Sequence, residues 1–306
     1  MSKLSILLLF CTFSVAHATP TTETFGYFDC IFLNKGDVVA GTNNHPSDMD
    51  WNANMVACAG RALNTWMDTL GIQKPKRNIR VVFRGKSDTD VGGSSSIWTT
   101  SKQLEDGNGN KFNLQSSSAE ALWKDGYDDL NDHTYDIIVN LTTKSEVPFY
   151  YGTPEDYNSL GTGQFDAQSI IFHEIGHSLG FHSNCSGWSG DVPVFTTWDL
   201  MMKNSNGPIS VTNRDHHVGA QYVYTVGSEN VSVVNYIAGG SGMSHIDNNK
   251  NFVMQLAVEE GDCRRELTTK EIQLMREMGW KIGSNVPEPS SCFLALIGAT
   301  FLLLHR

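Results

Sequence analysis

The sequence predicts a mixed α/β domain, and the order of its regular segments carries that prediction. Residues 52–70 place apolar side chains at helical spacing before Gly71, which favours a helix that stops there. Residues 77–83 alternate polar and apolar side chains, and residues 135–141 hold a run of branched apolar ones, so both favour strands. Residues 166–180 show a second helical pattern. We therefore expect a twisted mixed sheet with two helices, one of them carrying the active site.

The rest of the chain is less regular. Residues 19–50 are rich in Gly, Asn and Asp and predict a strand or two between loops, and residues 92–96 predict a flexible loop. Residues 181–243 combine many Gly, Ser and Asn with short β-like runs, which indicates an insertion of loops and short strands. Residues 268–280 return to a helical pattern with a threonine cap. A smaller, irregular C-terminal subdomain is therefore expected.

Composition limits the possible classes of protein. The chain has 306 residues, of which 40% are hydrophobic and 18% charged, as in globular rather than disordered proteins. The net charge is -11 and no basic stripe appears. Because nucleic acids are bound through clustered Lys and Arg, we expect no nucleic-acid partner.

The N-terminal residues have the pattern of a secretory signal peptide. Lys3 precedes an apolar run at residues 4–13, and Ala16-His17-Ala18 provides a cleavage site of small residues. A membrane anchor is the alternative, but the apolar run is too short to span a bilayer. The sequence thus predicts export, with Thr19 as the first mature residue.

The C-terminal residues carry a second processing pattern. Val286-Pro287-Glu288-Pro289-Ser290 is followed by an apolar run at residues 292–304 and by His305-Arg306. This pattern resembles the PEP-CTERM sorting signal of certain Gram-negative bacteria. The resemblance implies transient membrane anchoring, cleavage by an exosortase-type sorting enzyme near the Pro-Glu-Pro box, and a secreted or cell-surface location. A buried C-terminal helix is the alternative.

Cysteines contribute a further prediction. Cys11 and Cys292 fall within the two processing patterns, which leaves the four candidates Cys30, Cys58, Cys185 and Cys263. Four cysteines in an exported domain predict two disulfides, and three connectivities are possible.

The chemistry is concentrated in one helical segment. His173, Glu174 and His177 form an H-E-x-x-H pattern, in which histidines four residues apart lie on one helical face and can bind one zinc ion. Glu174 lies beside them and can act as a general base. Asp166 is placed to cap this helix and Gly180 to end it. The alternative is a chance pattern on an amphipathic helix.

A third ligand is needed, and a family resemblance indicates one. The H-E-x-x-H-x-x-G-F core and the long insertion after it resemble the leishmanolysin-like metzincins over residues 135–280. The resemblance implies that His245 is the third zinc ligand, that Met254 is the Met-turn, and that a peptide substrate pairs with an edge strand. It places that strand at residues 135–141 or next to them. His182 is an alternative ligand. For Asp199 a capping role is favoured over a metal role.

These observations predict a secreted zinc endopeptidase that acts on protein or peptide substrates. A non-catalytic zinc protein of the cell surface or matrix is an alternative, as is zinc-dependent hydrolysis of a bond other than a peptide bond. The predicted parts are a signal peptide (1–18), a metallopeptidase domain (19–283) whose upper subdomain ends near 181 and whose lower subdomain covers 182–283, and a sorting signal (284–306).

Overall fold

The computed structural model describes residues 19–39, 45–70, 74–106, 108–126, 134–153, 160–184, 193–205, 207–209, 221–226, 229–234, 242–247 and 252–282. It shows a mixed α/β protein with several sheets and few helices, which confirms the predicted class at that level. None of the helices described is long and apolar enough to span a membrane. Both predicted processing signals lie outside the described residues.

The main sheet has five strands. Their spatial order is β1 (Thr21–Phe25), β2 (Phe28–Phe32), β3 (Ile79–Lys86), β7 (Ile137–Thr142) and β4 (Gly92–Ser96). The three central strands run parallel, and β1 and β4 form the edges, each antiparallel to its neighbour. The central strand β7 is buried throughout, as expected for a parallel strand covered on both faces. The strands predicted from the apolar patterns are confirmed as β3 and β7.

Residues 92–96 form strand β4, so the prediction of a flexible loop there is wrong. The five residues pair with β7 in continuous antiparallel register, from Gly92 opposite Leu141 to Ser96 opposite Ile137. Glycine and serine lower the strand signal in the sequence, but the pairing with β7 supplies the backbone hydrogen bonds. Because β7 is paired on both sides, the edge strand is its neighbour β4.

Two helices pack together beside this sheet. Helix α1 (Ala53–Leu70) begins after Asn52, whose Oδ1 accepts the N–H of Met55 at 3.1 Å. Helix α3 (Ala167–Ser178) contacts both α1 and β4. Trp66 joins the helices, because its indole N–H donates to the carbonyl oxygen of Phe172 at 2.9 Å and the two tilted rings pack with centroids 4.6 Å apart. Both predicted helices are confirmed, and the metal-ligand pattern lies on α3.

A second sheet supports the end of α3. It contains β5 (Trp98–Glu105), β6 (Lys111–Ser117) and β10 (Val194–Phe195), in the spatial order β10-β6-β5. Strand β6 continues into a short helix, α2 (Ser118–Glu120), and a π-helical turn (Ala121–Asp125). The hydroxyl of Ser117 donates to the carbonyl oxygen of Ser178, and the hydroxyl of Ser96 donates to that of Ser178 at 2.6 Å. The last turn of α3 is thereby attached to both sheets.

The C-terminal part consists of short elements, as predicted. Two short strands, β8 (Phe149–Tyr150) and β9 (Phe165–Asp166), come before α3. After it, in chain order, come α4 (Thr197–Leu200), β11 (Lys203–Asn204), β12 (Gly207–Pro208), β13 (Val223–Val226), β14 (Glu229–Ser232), a 3-10 turn (Gly242–Ser244) and α5 (Thr269–Glu277). Strands β8 and β9 form a two-stranded sheet before α3, and β11 to β14 form a four-stranded one. One hydrophobic core runs from Phe28 in β2 through Phe172 in α3 to Leu274 in α5.

The cysteines do not follow the disulfide prediction. Cys30, Cys58 and Cys263 each carry a free thiol, and Cys185 lies outside the described residues. Cys30 lies in β2 and Cys58 in α1, and both side chains are fully enclosed in the core. Burial raises the pKa of the Cys58 thiol to about 12 and that of Cys263 to about 11. The predicted disulfides are therefore absent among these three cysteines.

Candidate metal centre

Helix α3 begins and ends where the sequence predicted. The carboxylate of Asp166 caps it by accepting the N–H of Ser169 at 3.0 Å, and it also pairs with Arg265 at 2.6 Å. Gly180 ends the helix at φ 116°, a conformation that a side chain disfavours. The N–H of Phe181 then returns to the carbonyl oxygen of Gly176 at 3.2 Å. These caps fix the position of the side chains between them.

Three histidines converge on one point. His173 and His177 come from α3, and His245 follows the 3-10 turn at Gly242–Ser244. The Nε2 atom of His173 lies 3.0 Å from that of His177 and 3.3 Å from that of His245. The three ligand atoms all lie within 4.8 Å of one another. The structure thus brings together the three predicted ligands, which are 72 residues apart at the widest.

The tautomers of the two helical histidines follow from their other ring nitrogens. The Nδ1 of His173 lies 2.7 Å from the carbonyl oxygen of Val253, and the Nδ1 of His177 lies 2.6 Å from that of Phe181. A carbonyl oxygen only accepts, so each Nδ1 carries the proton and donates it. Each Nε2 therefore presents a lone pair to the centre of the cluster.

This arrangement fits a metal ion. Nitrogens bound to one tetrahedral ion at about 2.0–2.1 Å lie about 3.3–3.4 Å apart, close to the observed 3.0 and 3.3 Å between Nε2 atoms. Lone pairs this close repel one another unless a cation lies between them. Burial lowers the pKa of His173 to about 3, with a contribution from nearby His177, and lowers the pKa of His177 to about 4. The neutral imidazoles that result are the form that binds metals.

Glu174 lies beside the histidines without belonging to their cluster. Its side chain is buried against β4, where a Cβ built on Gly92 would lie 3.0 Å from its Oε1 and 2.5 Å from Cγ2 of Ile170. Burial raises the pKa of the Glu174 carboxyl to about 7, and a hydrogen bond from the side chain of Ser94 opposes that rise. A carboxyl group in this position can exchange protons near neutral pH.

His182 lies in the same cleft but outside the ligand cluster. Its ring packs against Trp98 at a tilt, with centroids 4.4 Å apart, and its Nε2 lies 3.1 Å from Oδ1 of Asn184. The amide nitrogen of Asn184 donates to Oε1 of Gln115 at 2.5 Å, so the Asn184 oxygen faces His182 and accepts its Nε2–H. The Nε2 of His182 is therefore bonded to Asn184, and the third nitrogen of the cluster comes from His245.

Met254 lies beneath the cluster. A Cβ built on Gly176 would approach the Met254 sulfur to 2.6 Å, so the methionine packs directly against the helix between the two ligand histidines. The neighbouring Val253 accepts from His173, and the Met254 carbonyl oxygen accepts the N–H of Ile246 at 2.8 Å. The turn at residues 253–254 therefore contacts His173 and the residue that follows His245. The assignment of Met254 as a Met-turn stays a prediction from the resemblance.

Other polar candidates have different positions. Asp199 caps α4, with its carboxylate accepting the N–H of Thr196 at 2.8 Å and that of Asn184 at 3.0 Å, which confirms the capping role.

Sequence reasoning missed Gly92 and Ser94, because β4 was predicted to be a loop, and it missed the carbonyl oxygen of Val253 that orients His173. Backbone acceptors leave no signal in a side-chain pattern.

The cluster opens into a cleft of about 450 Å³. Strand β4 borders it with residues 92–94, and an apolar wall comes from Ile170, Leu256, Ala257 and Val258. Leu256 is among the few large apolar side chains of the described residues that stay exposed. The site can thus hold a cation through three nitrogens and leave space beside a buried carboxylate.

Comparisons of the chain with family models, with curated proteins and with solved structures found no match. The function is therefore inferred from the geometry and the sequence patterns.

Proposed function

We propose that this chain is a secreted zinc-dependent endopeptidase with a metzincin-like arrangement of its catalytic centre. One observation carries the proposal: the Nε2 atoms of His173, His177 and His245 converge beside Glu174 in a cleft bordered by an edge strand. Three protein ligands with space for a further one are the pattern of catalytic rather than structural zinc sites.

The ligand chemistry supports zinc. Three neutral imidazoles suit zinc and other late first-row metals, whereas calcium and magnesium prefer oxygen ligands. Zinc bound there would supply Lewis-acid activation of a water molecule and of the scissile carbonyl group. The carbonyl oxygens of Val253 and Phe181 keep the rings of His173 and His177 oriented for that ion.

Glu174 performs the proton transfers in this proposal. Its carboxylate accepts the proton of the attacking water and gives it to the amine that leaves. The buried position beside β4 keeps the carboxyl pKa near 7, so both steps are accessible at neutral pH. The side chain of Ser94 opposes part of the rise in this pKa.

The substrate in this proposal is an extended peptide. Strand β4 pairs with β7 on one side, and its other edge borders the cleft, so a peptide can add to the sheet there through main-chain hydrogen bonds. The apolar wall of Ile170, Leu256 and Val258 then favours an apolar side chain next to the scissile bond.

The proposed location and partners rest on the sequence patterns alone. Residues 1–18 direct export, and residues 284–306 anchor the chain transiently at the membrane until an exosortase-type enzyme cuts near Pro287-Glu288-Pro289. The protein would then be secreted or displayed at the surface of a Gram-negative bacterium.

The test is cleavage of casein by the zinc-loaded protein beside its Glu174→Gln variant. Glutamine keeps the size of the side chain and an oxygen for Ser94 but cannot take a proton, so we expect kcat to fall by about 10²–10⁴-fold while zinc content stays unchanged. A chelator should abolish the wild-type activity.

Two results would contradict the proposal. Zinc-loaded, folded wild type that cleaves neither casein nor peptides would indicate a non-catalytic zinc protein of the surface or matrix. Turnover of ester or other amide substrates alone would keep the catalytic centre and change the substrate class.

A further inference from the structure

The carboxylate of Glu271 accepts more hydrogen bonds than a helix cap requires. It is the third residue of α5, fully buried, and its Oε2 accepts the N–H of Thr268 at 2.8 Å and the Thr268 hydroxyl at 2.9 Å. That set is a capping box, completed by the Thr268 hydroxyl accepting the N–H of Glu271. The other oxygen, Oε1, accepts the N–H of Met254 at 2.8 Å, from a segment 17 residues earlier in the chain.

Met254 belongs to the turn that connects the ligand-bearing segments. The carbonyl oxygen of its neighbour Val253 accepts from Nδ1 of His173 at 2.7 Å. The carbonyl oxygen of Met254 accepts the N–H of Ile246, the residue after His245, at 2.8 Å. Two of the three ligand histidines are therefore attached to one turn, and Glu271 holds that turn from the side away from the cleft.

We infer that Glu271 is a positioning residue for the metal centre, in addition to its role in capping α5. It acts through the turn at residues 253–254, since it touches neither the histidines nor the cleft. Without Oε1, the buried N–H of Met254 has to find another partner, and the turn moves with it. The orientation of His173 and the placement of His245 then change together.

The rival explanation is that Glu271 only stabilises α5. Thr268→Ala separates the two roles, because it removes the hydroxyl from the capping box and leaves the bond from Met254 to Glu271 intact. Glu271→Asp does the reverse, since it is expected to keep the cap and to lose the bond to Met254. Helix α4 of this protein already uses an aspartate, Asp199, in an equivalent capping box. At position 271 we expect the side chain of aspartate, one methylene shorter, to keep the cap and lose the bond to Met254.

The experiment measures zinc and cobalt affinity of the full chain by competition with a chromophoric chelator, together with the melting temperature of the metal-free protein. We expect Glu271→Ala, which removes both oxygens, and Glu271→Asp to weaken binding by about 10–100-fold, the range for residues that orient metal ligands. Thr268→Ala should lower the melting temperature and leave affinity within about twofold of wild type. The visible spectrum of the cobalt form should shift in the Glu271 variants only.

The outcomes separate this inference, which rests on the proposed function, from that function itself. Wild-type affinity in both Glu271 variants, or an equal loss in Thr268→Ala, would overturn the positioning role while leaving the endopeptidase proposal intact. Failure of the wild type to bind zinc at all would overturn both. If Glu271→Ala does not fold, Glu271→Asp carries the comparison with Thr268→Ala.

Discussion

The two sides of the metal cleft are built by different means. On one side a regular helix, α3, carries His173, Glu174 and His177, and its caps and its packing against α1 fix all of them. On the other side His245 follows a short 3-10 turn within an irregular part of the chain. That segment is held by hydrogen bonds to separate parts of the chain, such as those from Val234 to His245 and from Ile246 to Met254. Met254 is bound in turn to Glu271.

The difference between the two sides follows from the helical repeat. Residues four apart on a helix face the same way whatever surrounds them, so two ligands follow from the helix itself. The third ligand has no such repeat, and its position depends on bonds between segments far apart in sequence. We therefore expect the irregular side to be the more easily disturbed by changes at a distance, and the helical side to respond mainly to changes in its own residues.

The largest expected effect comes from removing a ligand on either side. His177→Ala and His245→Ala should each weaken zinc binding by about 100-fold or more, because each leaves only two nitrogens for the ion. Titration with zinc against a competing chelator measures this directly, and casein cleavage should fall in parallel.

His182→Phe provides the matched control. Phenylalanine keeps an aromatic ring against Trp98 but has no nitrogen. Because His182 is outside the ligand cluster, zinc affinity should stay unchanged. Loss of zinc in His182→Phe together with retention in His245→Ala would assign the third ligand to the helical side and remove the contrast between the two sides.

An intermediate effect is expected where β4 touches α3. In Gly92→Ala the new methyl group would lie 2.5 Å from Cγ2 of Ile170 and 3.0 Å from Oε1 of Glu174, so strand or carboxylate has to move. Small displacements of catalytic groups are costly, and we expect kcat/KM for a peptide substrate to fall by about 10–100-fold.

The neighbouring glycine tests whether this loss is local. A Cβ at Gly93 meets only Cγ2 of Thr89 at 3.7 Å, which is an ordinary contact, so Gly93→Ala should retain activity within about threefold. Equal losses in the two variants would mean that β4 is sensitive to any added side chain, and that its contact with Glu174 is not the cause.

The smallest expected effect is on stability, at the end of α3. Gly180 has φ 116° and its Cβ would lie 3.4 Å from the buried Glu120 carboxyl, so Gly180→Ala should cost about 1–3 kcal/mol. Gly126 has φ 65° with no heavy atom within 4 Å of a built Cβ, so Gly126→Ala isolates the backbone contribution of about 1–2 kcal/mol.

Thermal unfolding of the metal-free protein checks both glycine variants. A change of about 1 kcal/mol corresponds to roughly 2–4 °C in Tm for a domain of this size. If Gly126→Ala destabilised the protein more than Gly180→Ala, the close contact between residue 180 and Glu120 would add nothing to the cost of the substitution.

The sequence alone determined the parts of this protein that depend on neighbours in the chain. The helices and buried strands follow from apolar periodicity, and the H-E-x-x-H spacing placed two ligands and a carboxylate on one helix with its caps at Asp166 and Gly180. The position of His245 followed only from a family resemblance, and the structure brings it to the other two histidines.

Tertiary structure decided what depends on distant contacts. Strand β4 forms because β7 offers it backbone partners, so a Gly- and Ser-rich segment that predicts a loop becomes the edge of the cleft. The three described candidate cysteines carry free thiols, two of them buried in the core, which their number in the sequence does not reveal. The helix at residues 268–280 was predicted, but the bond from Met254 to Glu271 required knowing which turn lies against that helix. Hydrogen bonds between distant segments depend on the folded arrangement, and the order of residues does not reveal them.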